Sequence, residues 1–435
     1  PTATPITRST AIALEATSGG TIRLGADLTA GQNLRLTGAA QLTESSVLES
    51  VEADITFSGG AMSNVDDGTN ERLTLITSGS VTQTHGISVD ELALQGAGTF
   101  TLDQSNAIGV LAAGTADTRV GELTLNNTSA MEIGTLGSQN GILASGDLSI
   151  TSADLTVSQA IDTQSATNQA NDSANAITID VSGASNINAG VTAPGDIAFV
   201  GTTNITGATV ESGSAGISIT GNGGTLASGA KLKTDAGAIT LAGNNITVTG
   251  SSSAVESNSG AVTVSGDGFT LDDSATLTSD TGKLTFSGDN FTANNGASVE
   301  TVSSAIDFTG DHASIDGAST VTSDSGAIAF TASGASVAGG STVETTSSNI
   351  TFSGADAAIE ADIVTNGGDV TLSGGNTALN GGTVTTATGN LNVTGSLNMT
   401  GDGTLEATAG TIALNANVTN AGGTETLTLI TDNAV

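Results

Sequence analysis

From Gly195 onward, apolar and polar residues alternate in short bursts that return at a fixed spacing. A phrase of one apolar residue, any residue and a second apolar residue, usually followed by Ser or Thr and then Gly, recurs at Ile197/Phe199, Ile217/Ile219, Ile239/Leu241, Val262/Val264, Leu284/Phe286, Ile306/Phe308, Ile328/Phe330, Ile350/Phe352, Val370/Leu372, Leu391/Val393 and Ile412/Leu414. The first members lie 20, 22, 23, 22, 22, 22, 22, 20, 21 and 21 residues apart, so eleven copies of one unit stand in line. Two further apolar pulses follow within the unit. One runs through Ile246/Val248, Phe269/Leu271, Phe291/Ala293, Ile315, Val337 and Leu379, the other through Leu232, Val255, Leu277, Val299, Val321, Val343, Val384 and Leu405. Alternation with a period of two marks a strand with one buried face. Gly, Asn, Asp or Ser bounds each pulse where the chain must turn. The unit is three short strands and three corners.

Antiparallel hairpins would alternate in the same way, but they give no reason for the first strand of one unit to match the first strand of the next. A parallel β-helix does. Each unit of about 22 residues is one coil, and equivalent side chains stack about 4.8 Å apart. The expected fold class is therefore all-β, a parallel β-helix with three strands per coil. Phe286, Phe308, Phe330 and Phe352 should form one internal stack, and Phe269 and Phe291 a second on the next wall, because they occupy inward alternate positions.

Residues 1–190 use the same grammar with longer and less even corners. Gly20–Gly38, GTIRLGADLTAGQNLRLTG, resembles Gly410–Gly422, GTIALNANVTNAG; ITFSG stands at both Ile55–Gly59 and Ile350–Gly354; DGTNERLTLIT at Asp67–Thr77 is echoed by AGGTETLTLIT at Ala421–Thr431. The expectation is one continuous solenoid, less regular over 1–190 and regular over 191–435. The polar segment Asp162–Ala176 should be a loop standing out from a corner. The second LTLIT breaks off a coil at Val435, and the chain opens without an initiator Met, so the sequence reads as a piece of a longer or processed polypeptide.

Composition removes whole classes of function. The 435 residues include 59 Gly, no Cys, Trp or Tyr, and 43 acids against 8 bases, for a net charge of −35. Beyond Lys283 there is no Lys or Arg. Such a surface repels phosphate backbones and anionic lipid heads, so nucleic acid is not an expected partner. No apolar run approaches the roughly twenty residues that would span a bilayer, and no membrane insertion is expected.

At Leu73–Gly114, LTLITSGSVTQTHGISVDELALQGAGTFTLDQSNAIGVLAAG, and at the ITFSG phrases, the chain resembles the repeat region of the filamentous haemagglutinin family, large bacterial adhesins exported by two-partner secretion. The resemblance covers nearly the whole chain through composition and period. It implies a right-handed coil, a place on or outside a Gram-negative cell, and adhesive or biofilm work. The family's NPNG-type secretion motifs do not occur in these residues.

Candidate chemistry is sparse. Polysaccharide lyases and hydrolases also use β-helices, but they need clustered carboxylates with a base and aromatic platforms for sugar rings, which the regular half lacks. The chain is read as a non-enzyme. Asp267, Asp289 and Asp311 recur every 22 residues and should form a column of carboxylates one strand spacing apart. Ca²⁺ could neutralise them. The competing reading is that Asn or Asp at a corner accepts backbone hydrogen bonds, as Asn222 and Asn244 would in neighbouring coils. His85 and His312, the two histidines, build no zinc or nucleophile arrangement without Cys. The triplets at Asn204, Asn245, Asn290 and Asn349 match the glycosylation pattern, which a chain rich in Asn and Thr produces by chance. A Thr-x-Thr wall of the ice-binding kind begins at Thr276/Thr278 and is broken by Glu256, Glu300, Glu344 and Glu406. The resulting expectation is an extracellular structural and adhesive rod that self-associates end to end. The alternatives are a polysaccharide-acting β-helix enzyme, tested by turnover, and a calcium-dependent surface-layer protein, tested by melting in chelator.

Overall fold

A computed structural model describes residues 4–17, 19–65, 68–164, 175–421 and 423–432. Strands alternate in burial along their length, and the described residues contain no α-helix. Strands three apart in the chain pair in parallel, which is the signature of a coil of three strands. The chain divides into two compact units, one of Pro1–Asn204 with Ala208–Ala215 and the other of Ile205–Gly207 with Gly216–Val435.

In the second unit, the periodicity of the sequence becomes register. On the first wall Ile217 pairs with Ile239, then in turn Val262, Leu284, Ile306, Ile328, Ile350, Val370, Leu391 and Ile412 follow, each above the last. On the third wall Leu232, Val255, Leu277, Val299, Val321, Val343, Ile363, Val384 and Leu405 do the same. Because the side-chain period is two, a slip of one residue would turn every one of these outward. The unbroken register is thus fixed by the core it buries.

The aromatic stacks form as the spacing requires. Ring centroids of Phe286, Phe308, Phe330 and Phe352 lie 4.7, 4.6 and 4.6 Å apart, with planes within 9° of parallel. Phe269 and Phe291 stack at 5.9 Å. Phe291 also tilts at 50° against Phe286 and Phe308 across the corner, at 4.3 and 5.1 Å. In the next coils the position of Phe291 is taken by Ala313, Ala335 and Ala357. Past the coil that holds both Phe286 and Phe291, alanine at the facing position leaves the corner to one ring per coil.

The first unit is built the same way with more irregular strands. Leu34/Leu36, Ile55/Phe57, Val81/Gln83, Phe100 and Leu123/Leu125 stack in register on one wall. Among the described residues, four strands run to 9 residues or more, Ile87–Gln95, Thr99–Ala113, Ile177–Ile187 and Ile197–Thr206. An unforeseen antiparallel pair, Thr135–Leu136 with Gln139–Asn140, folds over the outside of the coil. Leu136 there covers Ala93 and Ala112, and Gln139 Nε2 donates to the Leu94 carbonyl at 2.6 Å. The expected change of regularity at residue 191 lies within this unit, and most of the expected loop Asp162–Ala176 lies outside the described residues.

Candidate functional site

Asp267, Asp289 and Asp311 each follow a glycine at the corner between the first and second walls. That glycine is required by space: a Cβ on Gly288 would stand 1.6 Å from the Gly266 carbonyl oxygen, and one on Gly310 would stand 1.6 Å from that of Gly288. The coils are drawn so close there that the next residue is pushed outward, and all three Asp are exposed. The backbone keeps them in step, with His312 N donating to the Asp289 carbonyl at 2.8 Å and Gly334 N to that of Asp311 at 2.7 Å.

This column departs from the way the second unit handles charge elsewhere. On the third wall the ladder reads Glu256, Thr278, Glu300, Thr322, Glu344, so a neutral residue separates each pair of carboxylates. Lys231 sits beside Glu256 of the adjacent coil at 3.3 Å, and Lys283 beside Asp307 at 2.5 Å. The Asp column sets like charges in consecutive coils. A hydrogen bond that the protonated Asp289 carboxyl donates to the Asp267 side chain, then repulsion from Asp267 and from Asp311, hold the Asp289 carboxyl above the usual carboxylate range. Among the described residues no three of His, Asp and Glu are grouped so as to hold a metal ion.

At the related corners, side chains cap backbone. Asn244 Oδ1 accepts from Asp267 N at 3.0 Å. At the corner between third and first walls, Asn349 Oδ1 accepts from Asp369 N at 2.8 Å, Asp369 Oδ1 from Asn390 N at 2.6 Å, and Asn390 Oδ1 from Thr411 N at 3.2 Å. Each side chain thus satisfies an amide of the next coil. His85 lies exposed in the first unit with Nδ1 3.0 Å from Thr84 Oγ1, and His312 lies in the second with its ring over Gly334.

A second device went unseen in the sequence. At the end of the third wall Thr234, Ser257, Ser279, Thr301, Ser323, Thr345, Thr365 and Thr386 form a buried hydroxyl column. Ser279 Oγ donates to the Gly260 carbonyl of the preceding coil at 3.0 Å and accepts from Gly282 N at 2.9 Å. Thr386 does the same with the Gly368 carbonyl and Gly389 N, at 2.9 and 3.0 Å. The signal was present as Ser or Thr three residues before Gly, repeating with the coil.

No family model, no curated protein and no solved structure matches the chain. No helix in the described residues is long and apolar enough to cross a membrane.

Proposed function

We propose that the protein is a structural and adhesive element of a bacterial surface filament, non-enzymatic, working outside the cell by stacking coil on coil and copy on copy. The observation that carries this reading is the ten-coil register of the second unit, in which inward positions repeat aliphatic and Phe residues and outward positions repeat Thr, Ser and acids. Residues spent on repetition set length and stiffness. The in-register parallel pairing that joins one coil to the next serves equally between copies, since a strand edge accepts any matching strand.

The chain beyond Lys283 holds fifteen acids and no base, a charge that keeps copies from associating side by side. Sedimentation velocity over a range of protein concentration tests the stacking of copies. The expected outcome is a series of species growing with concentration; a single monomeric boundary at every concentration would refute it.

A further inference from the structure

The first unit carries a recess of about 560 Å³ that stacking does not use. Its floor is the outward side of one wall, where Ser63, Ser88 and Ala107 stand in register on three successive coils. These side chains are small, so the wall is hollow there. The turn that holds Thr69 forms one flank.

The polar groups are tied together. Asn64 Nδ2 donates to Asp90 Oδ2 at 2.5 Å, which orients both side chains. Asn64 Oδ1 is buried with no hydrogen-bond partner among the described residues. A buried acceptor without a donor is costly, and a ligand hydroxyl would satisfy it.

The lining selects the ligand. It holds no Lys or Arg, and the net charge of −35 opposes any phosphate, sulfate or carboxylate. It holds no aromatic ring to receive a flat apolar molecule. Asp90 is its carboxylate among the described residues. Hydroxyls, an amide and the Asp90 carboxylate match a neutral polyhydroxylated molecule, whose vicinal hydroxyls donate to Asp90 and Asn64 and exchange hydrogen bonds with Ser63 and Ser88 in either sense. The volume lies within the range of about 300–1,000 Å³ usual for small-ligand sites.

We infer that this recess binds one or two units of a neutral saccharide, with Asp90 as the anchoring acceptor. The inference gives the adhesive part of the proposed function a ligand class and a place, and it stands apart from stacking. Saturation-transfer NMR of the full chain with glucose, galactose, mannose, N-acetylglucosamine and lactose at millimolar concentration tests it. At least one sugar should give a signal that Asp90→Asn weakens about 10- to 100-fold, the loss of one charge-assisted hydrogen bond. Ser88→Tyr, at an exposed strand position, should block the same sugar by filling the floor, and Asp289→Asn in the other unit should leave it bound. All three variants should sediment as the wild type does, which separates a failure of this site from a failure of stacking. Absence of signal from every sugar, or a signal unchanged in both Asp90→Asn and Ser88→Tyr, would overturn the inference. So would calcium chloride alone raising the melting temperature of the wild type but not of Asp90→Asn, since the recess would then be a cation site.

Discussion

Single hydroxyls and carboxyls in this chain differ in value by where the coil places them. Ser279 makes two buried hydrogen bonds, so Ser279→Ala strands the Gly282 amide and the Gly260 carbonyl and should destabilise by about 1–3 kcal/mol in urea unfolding. Ser319 and Ser341 are equally buried, but their hydroxyls have no partner among the described residues. Ala275 and Ala297 hold the equivalent position in the preceding coils, so Ser319→Ala should be neutral or stabilising in the same measurement. Asp289 gives a pH signature. Its carboxyl is held above the usual range in the folded state, so the fold binds that proton more tightly than the unfolded chain does. The resulting stability is full below the ordinary carboxylate range and is lost as pH rises through the raised value. Asp289→Asn should therefore raise the melting temperature at neutral pH and make no difference at about pH 3. The Asp column was legible from its 22-residue recurrence. The hydroxyl column was not, because Ser and Thr are so common here that Ser-x-x-Gly carries information only once the inward face is known.

Strands and corners were the most legible level. Each apolar pulse named from the sequence became a strand in register, because alternation and constant spacing together leave a stacked coil as the arrangement that buries every apolar face. The Phe stack follows from the same periodicity. Phe308, with a ring on either side and Phe291 tilted against it, is its most enclosed member. Phe308→Ala should cost about 3–5 kcal/mol, and Ala335→Phe should destabilise by about 1–3 kcal/mol through overpacking, both read from denaturation midpoints. The pair Thr135–Leu136 and Gln139–Asn140 escaped the sequence because two residues per strand are too few to show a period. What holds that pair down is tertiary, Leu136 on Ala93 and Ala112, and no local pattern announces it.

At the scale of the whole molecule, alternation and spacing announce the class of architecture, while the proposed function rests on contacts between copies and with ligands. The recess at Asn64 and Asp90 could not be located from alternation alone, because its floor is made of residues distant in sequence. The central claim is that coils stack between copies as they do within one. Negative-stain electron microscopy of the purified protein at increasing concentration tests it most directly. The account predicts narrow, unbranched filaments that lengthen with concentration; particles of one unchanging size under all conditions would contradict it.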